Sequence, residues 1–364
     1  MTTTHSPGTS TVEDALPADR ETTDNVFVSI VMPCYNEERF IETALENLCN
    51  QYDKQNYEII VVDGRSTDRT REVIKQFAEK RGDVSLRVID NPDRAIPRAL
   101  NLGIAAARGE FILRMDSHAA PSAGYVRRCV ELLSRGEAAV VGMYCHVCAS
   151  NETIAARAIA AAVSHPFGIG DASYRLSEGQ SQQAVDTVAF GSFRKELWQQ
   201  LGGFNETLHT NEDYDFNYRV RAAGGVVLLD RAEHSTYFAR GTLRDLVSQY
   251  FRYGKWKARM IRLHPQSIKL RHMVAPLFVL SLIVLPLLGW WWTPAWILLA
   301  IGMGLYLALA IYFAAKIARR NKDRRLALTL FTPVVFFTLH VTWGFSFLLG
   351  LFQPSFGERK ILSI

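Results

Sequence analysis

The stretch YEIIVVDGRSTD, residues 57–68, indicates the fold because an apolar run stops abruptly at a cluster of polar residues. Residues 26–38, VFVSIVMPCYNEE, show the same arrangement earlier in the chain. Each apolar run is short and rich in β-branched residues, which is typical of a strand buried in a sheet. Helical patterns follow at residues 39–51 and 68–80. The two stretches therefore predict two strand–helix units with polar residues at the strand ends.

The same alternation continues through the next fifty residues. Residues 85–89 and 111–115 predict further strands, and the Ala-rich segment 95–108 between them predicts a helix. Alternating strands and helices predict an α/β protein with a parallel, doubly wound sheet. Ligands bind such sheets beyond the carboxyl ends of the strands. The polar clusters that follow the strands are therefore expected to converge on one edge.

Several common sites are excluded by the motifs that the sequence lacks. There is no G-x-G-x-x-G after the first predicted strand and no G-x-x-x-x-G-K-[ST], which argues against a dinucleotide dehydrogenase and a P-loop ATPase. Cys145 and Cys148 form a lone C-x-x-C without a second pair, so we interpret them as strand residues and not as zinc ligands. The formal net charge of +5 argues against nucleic-acid binding by the whole chain.

Four stretches occur in an order that resembles a family 2 glycosyltransferase: VSIVMPCYNEERFIETALENL, EIIVVDGRSTDRT, AARGEFILRMDSHA and NEDYDFNYRVRAAGG. The match covers roughly residues 28–260. The RMDSHA version, followed by an apolar tail, looks most like the bacterial glucosyltransferases of succinoglycan-type exopolysaccharide assembly. The resemblance implies a GT-A fold, a Rossmann-like mixed sheet, over residues 25–245. It also implies inverting transfer from a UDP-sugar with Mn²⁺ or Mg²⁺.

The resemblance also implies roles for individual residues. Asp213 matches the general base of the family's E-D motif, and Glu212 would orient the acceptor. Asp116 matches the start of the D-x-D motif and would hold the metal. His118 replaces the second Asp of that motif, and it is either a metal ligand, a phosphate contact or a plain loop histidine. His234 is either a further metal ligand or a structural residue.

The donor and acceptor would contact residues at the strand ends and after the sheet. The resemblance places the nucleotide sugar against Pro33, Tyr35, Glu37, Asp63, Arg94, Arg98, Asp116, Ser117, Gly191 and Arg252. Gln249–Tyr253 resembles the Q-x-x-R-W of processive synthases with Tyr in place of Trp, so Gln249 and Tyr253 join Asp213 as candidate acceptor contacts. Arg94 and Arg98 are equally well explained as solvated helix charges.

The last quarter of the chain predicts a membrane anchor. Residues 274–292, 293–315 and 326–352 contain no Lys, Arg, Asp or Glu. A helix rises about 1.5 Å per residue, so about 20 apolar residues cross the roughly 30 Å hydrocarbon core. These stretches predict about three transmembrane helices over 274–352, the third either spanning or re-entrant. Aromatic and basic residues interleave before them, which predicts an interfacial amphipathic helix region at 246–273.

The charges beside these apolar stretches predict the orientation. Residues 255–271 and 316–325 are basic, and basic loops beside membrane spans stay cytoplasmic. Residues 1–24 lack an apolar core and predict a disordered tail, and 353–364 a second tail. The five cysteines, an odd number, agree with a reducing compartment. We therefore expect a catalytic domain on the cytoplasmic side of the inner (plasma) membrane.

Three hypotheses for the function follow. The first is an enzyme that transfers a hexose, glucose being expected, to a polyprenyl-diphosphate-linked saccharide at the membrane. The second is a polyprenyl-phosphate sugar synthase, which uses the bare lipid phosphate as its acceptor. The third is a non-catalytic membrane scaffold that binds nucleotide sugars. The pair Glu212–Asp213 argues against the third, because a binding protein needs no base. The sequence carries no signal for the oligomeric state.

Overall fold

The computed structural model describes residues 27–49, 51–52, 56–177, 179–319 and 322–353. The predicted tail 1–24 and nearly all of the predicted tail 353–364 lie outside these residues. The strands within them are β1 Val28–Cys34, β2 Tyr57–Asp63, β3 Ser85–Asp90, β4 Phe111–Arg114, β5 Ala120–Pro121, β6 Val140–Ala149, β7 Gln182–Ala184, β8 Ser192–Arg194 and β9 Val227–Ala239.

The helices are α1 Ile41–Leu48, α2 Thr70–Lys80, α3 Ile96–Ala106, α4 Tyr125–Ser134, α5 Ile154–Ala162, α6 Pro166–Ile169, α7 Lys195–Gln200, α8 Glu212–Ala222, α9 Leu243–Leu263, α10 Arg271–Gly289, α11 Pro294–Ala318 and α12 Arg325–Phe352. The predicted strands and helices up to β4 are all present. The helix predicted at 39–51 is shorter at both ends.

The described strands form one mixed sheet in the order β3-β2-β1-β4-β8-β6-β9-β5, with β7 added alongside β9. β3, β2, β1 and β4 are parallel, as the alternation predicts. β8 runs antiparallel to both β4 and β6, and this insertion makes the sheet mixed. The carboxyl ends of β1, β2 and β4 therefore lie at one edge, where the polar clusters follow.

The core lies on both faces of the sheet, because alternate residues of each strand point to opposite sides. In β2, Ile59 and Val61 pack on the side of α1, α2 and α4, whereas Ile60 and Val62 pack on the side of α3 and α8. Gly103 lets α3 lie directly on the sheet, since a Cβ there would come 2.4 Å from a methyl carbon of Val31. This two-sided packing fixes the strand ends that carry the site.

The three C-terminal helices are long and apolar enough to cross a membrane, with 19, 25 and 28 residues. α12 is one continuous helix that contains Pro333. α9 joins these three helices to the part of the chain that contains the sheet, which we call the sheet domain, by packing along α12. Gly254 permits the close approach, because a Cβ there would lie 2.2 Å from Ser346 Oγ and 2.4 Å from the Trp343 carbonyl oxygen. The sheet domain is thus seated directly on the apolar helices.

Candidate active site

A cavity of about 920 Å³ begins beyond β4 and extends between the sheet domain and the apolar helices. Asp116, Glu212 and Asp213 line its polar part, and Phe278 and Trp343 line its apolar part. The motif after β4 and the motif that opens α8 therefore share one space. The cavity therefore has a charged part and an apolar part.

Arg114, the last residue of β4, joins the two motifs. Its Nη1 donates to Glu212 Oε1 at 2.8 Å, and its Nε and Nη2 lie 3.4 and 3.3 Å from Asp116 Oδ1. Arg114 is 8 % exposed and Glu212 is 4 % exposed. Burial lowers the pKa of Arg114, but the charges of Asp116 and Glu212 outweigh burial and raise it. Arg114 is therefore a permanent cation that holds both motif carboxylates on one wall of the cavity.

Glu212 and Asp213 lie in the first turn of α8, where the helix dipole favours carboxylates. Burial raises the pKa of Glu212, and Asp213 adds to the rise while Arg114 opposes it. Asp213 is half-buried, and its Oδ1 accepts a 2.7 Å hydrogen bond from the Tyr214 amide. Asn211 precedes them in the left-handed region at φ 67, and its Nδ2 is buried without a hydrogen-bond partner among the described residues. Asp213 is thus the carboxylate of this pair that faces the cavity without an arginine partner among the described residues.

Asp116 and His118 line the same part of the cavity. His118 Nδ1 lies 3.2 Å from Glu37 Oε1, and this hydrogen bond raises the pKa of His118 although burial opposes the shift. His234 lies on β9, where its ring is 5.7 Å from that of His146, and it is outside the cavity lining. Within the described part of the chain, no group of three or more His, Cys, Asp or Glu residues is arranged to hold a metal ion.

A divalent cation nevertheless suits the donor set at Asp116 and His118. A carboxylate oxygen and an imidazole nitrogen are ligands that Mn²⁺ accepts. Metals that bind nucleotide diphosphates commonly take one or two protein carboxylates and complete their coordination with phosphate oxygens and water. The lack of a third protein ligand is therefore compatible with such an ion. The metal roles of Asp116, His118 and His234 remain predictions.

The donor residues predicted at the first strand ends divide into two groups. Arg94 lines the cavity, and its guanidinium carbon lies 4.9 Å from the centroid of the exposed Tyr35 ring. Asp63 is fully buried and already accepts hydrogen bonds from Ser66 and Arg71. Pro33 is part of β1, opposite Val62 of β2. Arg94 and Tyr35 are thus the more accessible of these candidates.

Three other predicted donor contacts lie outside the cavity lining. Arg98 pairs with Glu206 at 3.2 Å and borders a separate surface pocket. Gly191 lies against Val140, because a Cβ there would come 3.0 Å from that side chain. Ser117 is 3 % exposed. The donor contacts of these three residues remain predictions.

The predicted residues of α9 do reach the cavity. Gln249, Arg252 and Tyr253 all line it. Gln249 Nε2 donates to the hydroxyl oxygens of Tyr237 and Tyr253, each at 3.0 Å. This arrangement holds the Tyr253 ring at the boundary between the polar part and the apolar helices.

Sequence reasoning missed several cations that line the cavity, among them Arg114, Arg175 and Lys257. A signal was present for Arg114, because an arginine within an apolar strand and next to a carboxylate motif predicts a buried ion pair. Lys257 lies within the basic run 255–271, which was attributed to membrane topology and to an interfacial helix. Arg175 lies in a segment with no recognisable motif.

The sequence of this chain is similar to those of known glycosyltransferases. The model of the family described as Glycosyl transferase family 2 matches residues 29–201. The dolichyl N-acetyl-alpha-D-glucosaminyl phosphate 3-beta-D-2,3-diacetamido-2,3-dideoxy-beta-D-glucuronosyltransferase of Methanococcus voltae is 30% identical over 65% of this chain and 74% of its own length. The succinoglycan biosynthesis protein ExoA of Rhizobium meliloti (strain 1021) is 28% identical over 87% of this chain and 93% of its own length.

A solved structure shares the fold. The mannosyltransferase PcManGT from Pyrobaculum calidifontis, in complex with GDP-Man and Mn²⁺, superposes with a TM-score of 0.61. Its sequence identity is 20%, and the match covers 85% of this chain and 86% of that one. This likeness shows the GT-A fold, which the mixed sheet order already indicates. The sequence relatives and the family model together establish that the chain belongs to glycosyl transferase family 2.

Proposed function

We propose that the protein is an inverting, membrane-anchored glycosyltransferase. It moves a hexose, which we expect to be glucose, from a UDP-sugar to a polyprenyl-diphosphate-linked saccharide. The observation that carries this proposal is the shared cavity. Arg114 holds the Asp116 and Glu212 carboxylates on one wall, Asp213 lies beside them, and the same cavity continues among the apolar helices. A sugar donor that is water-soluble and an acceptor that is lipid-bound need such a junction.

The donor would bind at the end of the cavity near Asp116. Asp116 and His118 would hold a Mn²⁺ or Mg²⁺ ion, which when bound stabilises the negative charge of the leaving diphosphate. Arg94 and Arg252 line the same cavity and would donate hydrogen bonds to diphosphate oxygens. The exposed Tyr35 ring, already covered on one side by Arg94, would contact the base.

Asp213 would remove the proton from the acceptor hydroxyl. As the acceptor oxygen forms its bond to the anomeric carbon, the bond from that carbon to the diphosphate breaks, and the hydroxyl proton passes to the Asp213 carboxylate. Single displacement of this kind inverts the anomeric configuration. Glu212 is less suited to be the base, because its Oε1 already accepts from Arg114. We assign Glu212 to positioning, through Arg114 and through the start of α8.

The relatives support a lipid-linked acceptor. One is named for transfer to a dolichyl-linked sugar phosphate, and another for succinoglycan biosynthesis. We propose that residues 274–352 anchor the chain in the inner membrane and that 246–273 lie at its surface, with the catalytic domain, 25–245, on the cytoplasmic side. Anchoring keeps the catalytic domain near a substrate that stays in the bilayer, which raises its effective concentration.

The test is product analysis with purified protein in lipid nanodiscs. UDP-glucose, UDP-galactose, UDP-N-acetylglucosamine and GDP-mannose are each offered with Mn²⁺ and either a prenyl-diphosphate-linked saccharide or a prenyl phosphate. Mass spectrometry and NMR identify the product and its anomeric configuration. We expect an inverted hexoside on the diphosphate-linked saccharide. Transfer to prenyl phosphate alone would favour a lipid-phosphate sugar synthase, and no transfer with any pair would favour a binding scaffold.

A further inference from the structure

Lys257 is a buried lysine on the wall of the cavity. It is 4 % exposed, and its Nζ lies 2.9 Å from the centroid of the Tyr214 ring. Among the described residues, no carboxylate lies within ion-pair distance of this ammonium group. Burial lowers the pKa of Lys257 far below its usual value, and the nearby Arg271 lowers it further. A buried lysine without a counter-ion is unfavourable, and an anionic ligand would offset that cost.

Arg175 is a second basic residue on the same cavity, and it is partly buried. Its guanidinium carbon lies 5.5 Å from the centroid of the Tyr174 ring and 5.2 Å from that of the Tyr237 ring. Within the described part of the chain it has no carboxylate partner, and its Nε is buried without a hydrogen-bond partner. Tyrosine rings stabilise a guanidinium, but they leave its donors available to an anion.

Lys257 lies on one face of α9, and Arg175 lies beside the same face. Tyr250, Tyr253 and Lys257 are spaced three and four residues apart, so they share this face. Arg175 lies near the Tyr250 side chain at one end, and Lys257 lies next to Tyr214 at the other. Tyr250 and Lys257 are seven residues apart, and seven residues of helix rise about 10 Å, so the two cations lie at separate positions along α9.

The residues around Lys257 and Arg175 show which end of the cavity lies near the site of transfer and which end lies near the apolar helices. Tyr214 directly follows the proposed base Asp213, so the Lys257 end lies next to the site of transfer. Beyond the cations, Phe278 stacks on Tyr306 with ring centroids 4.6 Å apart, and both line the cavity. Val274 also lines it and is 60% exposed on the surface of α10. The apolar part of the cavity therefore opens at the side of the apolar helices.

We propose that Arg175 and Lys257 form a second anion site, separate from the donor site at Asp116, which binds the diphosphate of a prenyl-linked acceptor. The prenyl chain then lies along the apolar wall at Val274 and Phe278 and leaves sideways into the bilayer. This inference rests on the proposed function, because it assigns the acceptor's part of the same cavity. Two separated cations favour a diphosphate over a monophosphate, since a single phosphate reaches only one of them at full strength.

The test measures binding of farnesyl diphosphate to the full chain in detergent by calorimetry. UDP and Mn²⁺ are kept at saturating concentration, so that the donor site is filled and cannot bind the probe. Farnesyl diphosphate is expected to bind more tightly than farnesyl monophosphate. Lys257→Met and Arg175→Met are each expected to weaken its binding about tenfold to a hundredfold, as expected for the loss of charged hydrogen bonds.

Matched variants separate this effect from damage to the fold. Arg259→Met removes a cation of α9 that lies over Trp256, outside the cavity lining, and is expected to leave farnesyl diphosphate binding unchanged. Lys257→Arg keeps the charge and is expected to retain binding within about threefold. UDP affinity should stay within about twofold in every variant. Equal binding by the wild type and the Lys257→Met/Arg175→Met double variant would overturn the proposal, as would no binding by the wild type.

Two outcomes distinguish failure of the second anion site from failure of the proposed function. If sugar transfer depends on Asp213 but farnesyl diphosphate binding is unchanged when both cations are removed, the second anion site alone is refuted. Probe binding that needs both cations, in a protein that transfers no sugar to any acceptor, would refute the proposed enzyme and retain the anion site.

Discussion

Replacing Arg114 by Met tests the connection between the two motifs. The change removes the guanidinium that bonds Glu212 Oε1 at 2.8 Å and leaves a carboxylate that is 4 % exposed without its partner. Removing one partner of a buried ion pair costs about 3–5 kcal/mol. Asp116, with a side chain 25% exposed, adds less than about 1 kcal/mol because water can solvate it. At about 2–4 °C per kcal/mol, Tm should fall by about 10 °C.

The pH dependence of this loss has a defined sign. The fold already raises the pKa of Glu212, and losing Arg114 raises it further, because the remaining surroundings disfavour the charged form. A carboxyl group with a raised folded-state pKa destabilises the fold as pH rises above its unfolded value of about 4.3. The Tm difference between Arg114→Met and the wild type should therefore be larger at pH 8 than at pH 5.

Thermal unfolding in detergent, followed by intrinsic fluorescence at pH 5 and pH 8, measures this difference. Arg135→Met is the control, because Arg135 is an arginine 57% exposed that pairs with Glu131 of its own helix, and its loss should shift Tm by less than about 2 °C. In a Glu212→Gln background, Arg114→Met should cost about 2 kcal/mol less than in the wild type. A Tm loss below 2 °C at both pH values, or an equal loss in both backgrounds, would refute the role given to Arg114.

Two further predictions concern the metal and the seating of the sheet domain on the apolar helices. Asp116→Asn should weaken UDP binding about tenfold or more when Mn²⁺ is present and leave it unchanged when the metal is chelated; calorimetry that finds equal affinities with Mn²⁺ would count against Asp116 as a ligand. Gly254→Val should lower Tm by several degrees, corresponding to about 1–3 kcal/mol, because its Cβ would come 2.2 Å from Ser346 Oγ. Gly302→Val, where nothing lies within 4 Å, should lower Tm much less, and equal losses would contradict the packing argument.

Local sequence patterns predict the strands and helices of the first half of the sheet domain, because their formation depends on residues close together in the chain. β1, β2 and β4 are largely apolar and are followed by polar residues, and α1 to α3 repeat their apolar positions at helical spacing. The antiparallel insertion of β8 between β4 and β6 depends on pairing between residues far apart in the chain. No local pattern encodes that pairing, so only the family resemblance predicted a mixed sheet.

The site likewise contains residues that local motifs predict and residues that only packing brings together. Asp116 and Asp213 are predictable because each belongs to a motif with a known place in the family, and the structure places both on one cavity. Arg98 was grouped with the donor contacts because it lies near a strand end, but it pairs with Glu206, 108 residues later. Arg175 and Lys257 meet the same cavity from separate segments without a shared motif. Their proximity follows from packing, which the sequence alone does not display.

The most direct test of the proposed mechanism is the rate of sugar transfer by Asp213→Asn, measured together with its affinity for UDP. Asn keeps the shape of the side chain and removes its ability to accept a proton, so we predict a loss of about 10²–10⁴-fold in rate with UDP affinity unchanged. Asp245→Asn, an exposed carboxylate at the start of α9, is the control and should transfer sugar at the wild-type rate. Transfer by Asp213→Asn within a few-fold of the wild type would contradict the account.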